Sequence, residues 1–198
     1  VKARLESLTP RHAQIQLFYG GTPVRFWTSR YDLCGGTFVE NTIHYVDLLR
    51  YFLGDIEAVS AFYVERKPGE GPPPMDMPHV YNVNYRFKSG VTANATTSRV
   101  LTNVKVSRRE ILVVSDDSMI EWSGDAVIEN GEAVEGVEKA NAFARQAEAF
   151  VAAVRAGDPS MTRSAYPDGL NSLSAVLGAN LSAERGGELT ALSDLEAG

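Results

Sequence analysis

The sequence predicts an α+β domain in which helices pack on one face of an open, predominantly antiparallel β-sheet. Residues 37–53 place apolar side chains at helical spacing, and residues 81–99 alternate apolar and polar side chains around a turn. Residues 138–156 return to helical spacing. The order helix, strand, helix, strand meander and two helices is typical of a fold whose helices lie on one side of a sheet.

The first elements are short. Residues 2–8 have the pattern of a small amphipathic helix that Thr9-Pro10 stops, because proline cannot continue a helix. Residues 13–19 alternate as a strand, and the Gly/Pro-rich residues 20–23 break it. Residues 26–32 are irregular, aromatic and charged, a composition that fits either a binding loop or an aromatic plug beneath a loop.

A second helix, residues 37–53, carries the most informative pattern in the chain. One of its sides is apolar and suited to docking on a core, and Gly54 follows as a helix stop. On the other side, Glu40, His44 and Asp47 fall within an arc of roughly 60° at about 100° per residue. Three proton-handling side chains on one face of an anchored helix indicate a site that holds an acid and a base at fixed separation.

Each residue of this stripe also has a structural interpretation. Thr37 and Glu40 have the spacing of a capping box, in which both side chains satisfy amides at a helix start. His44 fits a half-buried helix histidine bonded to a carboxylate, and Asp47 fits a residue that orients it. A metal site built from Glu40, His44 and Asp47 is a further alternative, although no second His or Cys cluster completes a ligand set.

The sheet is predicted from the strands that follow this helix. Residues 58–65 form one strand, residues 67–78 a Pro/Gly-rich excursion, and residues 81–99 a hairpin with a Ser-Gly turn. Further strands are predicted at residues 107–114, 118–122 and 126–129. One sheet face should be apolar and lie on helices. The other face is predicted to meet water or a second subunit and carries Asn82, Asn84, Thr92, Asn94 and Thr96.

Two helices close the chain. Residues 138–156 are predicted to form the first, which stops at Gly157. Its apolar stripe, predicted to be buried, comprises Phe143, Ala147, Phe150, Val151 and Val154. A loop to Pro167 leads into a helix at residues 169–185, and residues 189–192 are predicted to add a closing strand.

Composition limits the function classes. The chain of 198 residues is long enough for one domain with a sizeable core, and its net charge of -6 argues against nucleic acid or an anionic membrane as a partner. No apolar run reaches the length of a membrane span. Cys34, the single cysteine, excludes an intrachain disulfide and favours a reducing compartment such as the cytoplasm. Its place before a helix start suits either a lowered thiol pKa or a buried, inert thiol.

The segment that carries the polar stripe resembles a family signature, Gly35-Gly36-x-x-x-Glu40-x-x-x-His44-x-x-Asp47-Leu48-x-Arg50-Tyr51-x-Leu53-Gly54. It is similar to the C-terminal domain of the glucose-fructose oxidoreductase/inositol dehydrogenase/MocA family of NAD(P)-dependent oxidoreductases. The resemblance covers most of the chain because it continues through two weaker motifs, Phe150-Val151-x-Ala153-Val154-x-Ala156-Gly157 and Ser182-Ala183-x-x-x-Gly186.

The resemblance implies a fold, an activity and a set of partners. It implies a substrate-binding and oligomerisation domain with an open sheet like that of the C-terminal domain of glyceraldehyde-3-phosphate dehydrogenase. The exposed face of that sheet is then expected to build homo-oligomers. It implies that His44 is a catalytic acid/base with Glu40 beside it. NAD or NADP is then the cofactor of the full-length protein, held by a Rossmann domain outside this chain. The implied substrate is a sugar, polyol or related hydroxylated small molecule.

These roles agree with the chemistry of alcohol oxidation, which needs a base for the hydroxyl proton while hydride leaves to a nicotinamide. A histidine serves as that base and, in the reverse direction, as an acid. Glu40, one turn away from it, would bind a neighbouring substrate hydroxyl. Asp47, Arg30, Trp27 and Tyr31 are predicted to bind or orient substrate, the last three because they lie just upstream along the chain.

Two departures from the family pattern bear on activity. Glu40 stands where the resemblance implies an aspartate and is one methylene longer. The chain also has neither a Gly-x-Gly-x-x-Gly between a strand and a helix nor a Glu-Lys-Pro motif, whose lysine would complete the proton-transfer site. We therefore expect residues 1–198, which begin without an initiator methionine, to be one domain of a longer oxidoreductase and inactive alone. The alternative is a non-catalytic binding or assembly module that keeps the fold.

Overall fold

One sheet runs through most of the chain and contains nine strands within the described residues. The computed structural model describes residues 1–21, 25–124, 126–137 and 141–196. The strands are, in chain order, Pro10–Phe18 (β1), Ile56–Val64 (β2), Val80–Phe87 (β3), Thr92–Ser98 (β4), Arg108–Ser115 (β5), Met119–Trp122 (β6), Val127–Glu129 (β7), Glu132–Ala133 (β8) and Thr190–Ala191 (β9). Their order is β8-β7-β6-β5-β1-β4-β3-β2-β9, and all neighbours except β1 and β4 are antiparallel. The predicted open, predominantly antiparallel sheet is therefore confirmed.

The first strand of the chain lies in the middle of the sheet. β1 pairs in parallel with β4, which places Ile15 opposite Ala95, and antiparallel with β5, which places Ile15 opposite Ile111. The hairpins β3–β4 and β5–β6 agree with the predicted meander, but β1 separates them. That insertion was not predicted, because turn residues specify local hairpins whereas the pairing of strands distant in sequence depends on the shared core.

Helices cover one face of this sheet. In chain order the α-helices of the described residues are Lys2–Leu5 (α1), Tyr31–Cys34 (α2), Ile43–Leu53 (α3), Ala142–Ala156 (α4), Tyr166–Glu184 (α5) and Ser193–Glu196 (α6). Val46 and Leu49 of α3 and Ala175 of α5 are fully buried in the same core as the strands. Small residues let α5 approach β2 closely: a Cβ at Gly178 would lie only 3.0 Å from Val59 Cγ1. The predicted packing of helices on one face is confirmed.

The apolar stripe of α4 is a correction to the sequence prediction. Its side chains, expected to be buried, are exposed: Phe143 by 85%, Phe150 by 62%, Val151 by 43% and Val154 by 64%, with Ala147 exposed as well. The helix itself forms, and its start is capped by Asn141, whose side chain accepts a hydrogen bond from the amide of residue 144. Helical periodicity predicts which side of a helix is apolar, but it does not say what covers that side. The predicted first residues, 138–140, lie outside the described residues.

Several predicted boundaries also shift. The first helix ends at Leu5 rather than at residue 8. The irregular segment at residues 26–32 runs into α2, which was not predicted. Pro167 lies in the first turn of α5 rather than in the preceding loop, because proline fits the start of a helix, where its missing amide hydrogen is not needed. The predicted break at residues 20–23 falls partly on residues 22–24, which lie outside the described residues.

None of the helices in the described part of the chain has both the length and the apolar character needed to cross a membrane.

Candidate functional site

The candidate site begins at the Gly35-Gly36 turn that precedes the polar stripe. Both glycines have positive φ, +71° and +88°, a conformation that side chains disfavour. Gly36 is also crowded: a Cβ there would lie 2.7 Å from the Tyr81 hydroxyl and 3.1 Å from the Tyr31 ring. The next amide, that of Thr37, donates to the Tyr81 hydroxyl at 3.1 Å. Gly36 therefore lets this turn pack against neighbouring tyrosines, and Gly35 supplies the left-handed conformation that ends α2.

A π-helical turn, Phe38–Thr42, follows the glycines and runs directly into α3. Phe38 and Thr42 are completely buried, and the Phe38 ring stacks on Tyr81 with centroids 5.7 Å apart. A π-turn has more residues per turn than an α-helix, so the α-helical spacing used to align Glu40 with the later stripe residues does not apply to it. Such turns occur frequently at functional sites.

The capping-box interpretation of this turn is wrong. Thr37 has helical dihedral angles, φ -58° and ψ -28°, and makes no side-chain capping hydrogen bond. Its hydroxyl lies 3.5 Å from Met77 Sδ instead. Glu40 therefore does not share a cap with Thr37.

Glu40 lies beside Arg99, its one ion-pair partner among the described residues. Its Oε2 lies 3.8 Å from Nη2 of Arg99, the residue that follows β4, and the two side chains are only 20% and 12% exposed. Glu40 Oε2 and Arg99 Nε are both buried and have no hydrogen-bond partner among the described residues. The site thus contains a partly buried ion pair that the sequence prediction did not include.

Tyr19 places the arginine of this pair. The Cζ atoms of Arg99 and Arg109 lie 5.3 Å and 5.6 Å from the centroid of the Tyr19 ring. The Tyr19 hydroxyl donates to Asn41 Oδ1 at 2.6 Å, so the ring is tied to the residue beside Glu40. Burial raises the pKa of Tyr19, as does the nearby Tyr45, against the opposing effect of the two arginines. The hydroxyl therefore stays neutral and able to donate.

His44 lies in the first turn of α3 and is exposed. It has no hydrogen-bond or ion-pair partner within residues 1–21, 25–124, 126–137 and 141–196. The interpretation of His44 as a half-buried histidine bonded to a carboxylate is therefore wrong. An exposed imidazole at this position is accessible to a ligand, and its role in proton transfer stays a prediction.

Asp47 faces a different part of the molecule. It accepts a hydrogen bond from the Ser172 hydroxyl at 2.6 Å and lies 3.7 Å from Arg50 Nη1. Arg50, only 8% exposed, also donates to Asp168 and Asp55. This network fastens α3 to α5. Sequence reasoning gave Arg50 no role, although an Asp and an Arg three residues apart on a helix indicate such an ion pair.

The predicted upstream contacts have different environments. Trp27 is 54% exposed and Phe26 is 72% exposed, which contradicts an aromatic plug and favours the binding-loop interpretation. Arg30 is engaged by two carboxylates: it donates to Asp32 at 3.0 Å and 2.9 Å and lies 3.2 Å from Asp76 Oδ2. The guanidinium of Arg30 therefore holds the loop together.

Tyr31 borders a surface cavity of about 460 Å³. Its amide donates to Asp76 Oδ1 at 2.7 Å, which fixes the start of α2. The side chains lining the cavity are mostly polar or acidic: Tyr31, Asp32, Tyr63, Glu65, Asp76, Pro78, Asn180, Ala183 and Glu184. Of the predicted substrate contacts, Tyr31 thus lies at this cavity, and Asp47 lies at a separate one of about 400 Å³ beside Arg50 and Asp168.

Cys34 is the last residue of α2, so it lies at a helix C-terminus rather than at a start. Its sulfur is 3.9 Å from Met77 Sδ, and burial raises the thiol pKa. These observations agree with a partly buried, weakly reactive thiol. Within the described residues, no three His, Cys, Asp or Glu side chains are placed to hold one metal ion.

The described residues do not fit the dinucleotide that the family resemblance implies. A pyrophosphate cradle needs a glycine-rich turn whose backbone is open to the ligand. The space beside Gly36 is filled by the tyrosines of this chain, and the chain lacks the required glycine spacing.

Comparison with known proteins identifies the domain. The model of the GFO/IDH/MocA C-terminal domain matches residues 9–121, more than half of the chain. A search among curated proteins found no match.

Solved oxidoreductases share the fold. An oxidoreductase from Thermotoga maritima superposes with a TM-score of 0.77 at 22% identity over 98% of this chain and 58% of its own. The aldose-aldose oxidoreductase from Caulobacter crescentus, complexed with glycerol, has a TM-score of 0.78 at 19% identity over 96% and 58%. The WlbA dehydrogenase from Bordetella pertussis, complexed with NADH and UDP-GlcNAcA, has a TM-score of 0.72 at 16% identity over 96% and 57%.

The chain thus spans less than two thirds of the length of these structures. Its matched residues include the Gly-Gly turn, the π-turn and α3, which are the parts that form the candidate site. The chain belongs to the GFO/IDH/MocA C-terminal domain family.

Proposed function

We propose that this chain is the substrate-binding domain of an NAD(P)-dependent oxidoreductase and carries its catalytic acid/base. The proposed reaction transfers hydride between a nicotinamide and a sugar, polyol or related hydroxylated small molecule. The observation that supports it most is the exposed imidazole of His44, which lies in the first turn of α3, directly after the π-turn that carries Glu40. The proposal places the cofactor in a domain outside this chain.

His44 acts as the proton acceptor when an alcohol is oxidised. Imidazole groups in general titrate near neutral pH, so one residue can take the hydroxyl proton and return it to a carbonyl oxygen in the reverse reaction. The nicotinamide, when bound, takes or gives the hydride. His44 is free to meet a substrate because no described side chain bonds to it.

Glu40 orients the substrate beside His44. A carboxylate oxygen accepts a hydrogen bond from a second substrate hydroxyl, which fixes the reacting carbon relative to the imidazole. A substrate with adjacent hydroxyl groups therefore suits this pair better than a simple alcohol. The sugar-related names of the solved structures, an aldose-aldose oxidoreductase and a dehydrogenase bound to UDP-GlcNAcA, agree with this substrate class.

The test uses the native polypeptide that contains this chain. NAD and NADP are each supplied with a panel of hexoses, inositols and uronic acids, and nicotinamide absorbance is followed. We expect turnover with at least one member and its loss in His44→Ala. His12→Ala is the matched control, because His12 lies on β1 and bonds to Thr92 rather than facing the proposed site. Turnover that is unchanged in His44→Ala would contradict the role of His44, and no turnover with any pair would favour a non-catalytic module.

We further propose that the open sheet face forms a contact between copies of the protein. Asn94 donates to Asn82 at 2.8 Å and to Asn84 at 3.0 Å, which makes an ordered polar ladder on that face. Phe62 and Val64 on β2 add apolar surface and are 60% and 55% exposed. Light scattering should give a multimeric mass that Phe62→Glu reduces. The same single negative charge at an exposed α4 position, Gln146→Glu, should leave the mass unchanged.

A further inference from the structure

Arg99 lies beside Glu40, the carboxylate proposed to bind a substrate hydroxyl, with 3.8 Å between Arg99 Nη2 and Glu40 Oε2. We propose that Arg99 is a positioning residue for Glu40: it draws one carboxylate oxygen inward so that the other faces the substrate hydroxyl. This inference rests on the proposed function, since it names what sets the geometry of the substrate-binding carboxylate.

The first support is the way the two oxygens of Glu40 differ. Oε2 is buried against Arg99 Nη2 at 3.8 Å, yet the Glu40 side chain as a whole keeps 20% exposure. A buried carboxylate oxygen without a hydrogen-bond donor is costly, and a nearby opposite charge offsets that cost in a partly dry environment. Among the described residues Arg99 is the cation within 4.0 Å of Glu40. The inward orientation of Oε2 therefore depends on Arg99.

The second support is that Arg99 is itself held in place. Its amide donates to the His79 carbonyl at 3.3 Å, and its guanidinium lies 5.3 Å from the centroid of the Tyr19 ring. The Tyr19 hydroxyl bonds to Asn41, which neighbours Glu40 on the π-turn. A closed ring of contacts thus joins Glu40, Arg99, Tyr19 and Asn41, so the arginine and the carboxylate cannot shift independently.

The third support is the length of the side chain at position 40. An aspartate on the same backbone would withdraw the carboxylate by roughly one C–C bond, about 1.5 Å, from the guanidinium. The pair is already 3.8 Å apart, so the shorter side chain would lose Arg99. Arg99 therefore explains why position 40 holds a glutamate rather than an aspartate: the extra methylene brings the carboxylate within reach of the arginine.

The test measures kcat/KM in the native polypeptide with the most active substrate of the panel described above. Arg99→Met and Glu40→Gln should each lower kcat/KM on the order of 10- to 100-fold, because misplacing an orienting group by about 1 Å has effects of that size. The double variant should fall no more than about threefold below the worse single variant, since the two residues act as a unit. Arg99→Lys should recover part of the loss, which a purely structural defect would not allow.

Arg109→Met is the matched control. Arg109 makes the same kind of contact with Tyr19, 5.6 Å from the ring centroid, but it is not within 4.0 Å of Glu40. It should keep kcat/KM within about twofold of the parent value. If Arg99→Met fails to fold, Glu40→Asp tests the same geometry with the arginine in place, and its kcat/KM should also fall on the order of tenfold.

The proposal would be overturned by an Arg99→Met kcat/KM within about twofold of the parent value, by additive losses in the double variant, or by full activity of Glu40→Asp. If His44→Ala still abolishes turnover in those experiments, the proposed function survives without it. If the parent protein shows no nicotinamide-dependent turnover, both proposals are overturned together.

Discussion

Replacing Arg50 with methionine should destabilise the domain by about 2–3 kcal/mol. Arg50 donates to the Asp168 carbonyl at 2.9 Å, the Ser172 hydroxyl at 2.7 Å, Asp168 Oδ1 at 2.9 Å and Asp55 Oδ1 at 3.2 Å. A hydrogen bond that involves a charged group contributes about 1.5–3 kcal/mol, but bonds in one network do not add. Its carboxylate partners are about half exposed, 45% and 47%, so water takes over part of their solvation when the arginine is gone.

Urea or thermal unfolding of the chain, followed by circular dichroism, measures this loss. For a domain of this size 2–3 kcal/mol lowers the melting temperature by roughly 5–10 °C. The control is Arg86→Met, whose partner Glu57 lies 2.9 Å away with both side chains 50% exposed, and which should cost less than about 1 kcal/mol. Equal stability changes in the two variants would refute the conclusion that Arg50 fastens α3 to α5.

The Arg50 network, the crowded Gly36 turn and the partly buried Cys34 thiol each carry a further prediction. Hydrogen bonds from Ser164 and then from the buried Arg50 lower the pKa of Asp168. The carboxylate therefore stabilises the fold above the ordinary aspartate pKa of about 3.9, and this stabilisation is lost as the pH falls through the lower folded pKa. The unfolding free energy of Asp168→Asn should lack this acid dependence, and a pH profile equal to that of the parent would contradict the prediction. Gly36→Ala should lower the free energy of urea unfolding by on the order of 2–3 kcal/mol, and Gly90→Ala by about 1 kcal/mol. Both glycines have positive φ, but only the Cβ at position 36 would meet a neighbour, the Tyr81 hydroxyl at 2.7 Å. Equal losses would contradict the crowding at Gly36. Because burial raises the thiol pKa of Cys34, it should react with iodoacetamide more slowly at pH 7 in the folded than in the urea-unfolded chain, and a faster folded rate would contradict this.

Local patterns in the sequence account for much of the fold. The alternation of Tyr81, Val83 and Tyr85 with polar residues predicted β3, and those three side chains are indeed buried. Helical spacing predicted α3 and α5. The periods of a strand and of a helix both place the apolar side chains on one side of the element, and that side lies in the core. These patterns do not say which segment covers an apolar side or which strand pairs with another. The exposed stripe of α4 and the central place of β1 both depend on contacts between segments far apart in the chain.

The candidate site shows the same division. The signature around Glu40 and His44 indicated a family, and that family is confirmed. The assignment of the site to these two residues stays a prediction. The π-turn under Glu40 was not predicted, because the helical pattern was extended through it at α-helical spacing. Arg99 was not predicted either: it follows β4, 59 positions after Glu40. It reaches the site because the end of β4 lies beside the π-turn, where Thr97 bonds to Thr42. Asp47 has the expected spacing, yet it bonds to Ser172.

Hydride transfer from the substrate to the nicotinamide can be followed directly with deuterium. The native polypeptide that contains this chain is supplied with a substrate deuterated at the oxidised carbon, and deuterium in the reduced nicotinamide is measured by mass spectrometry. We expect deuterium to appear at the rate of turnover in the parent protein and in His12→Ala, and to disappear in His44→Ala. Transfer of deuterium at the parent rate in His44→Ala would contradict the role of His44.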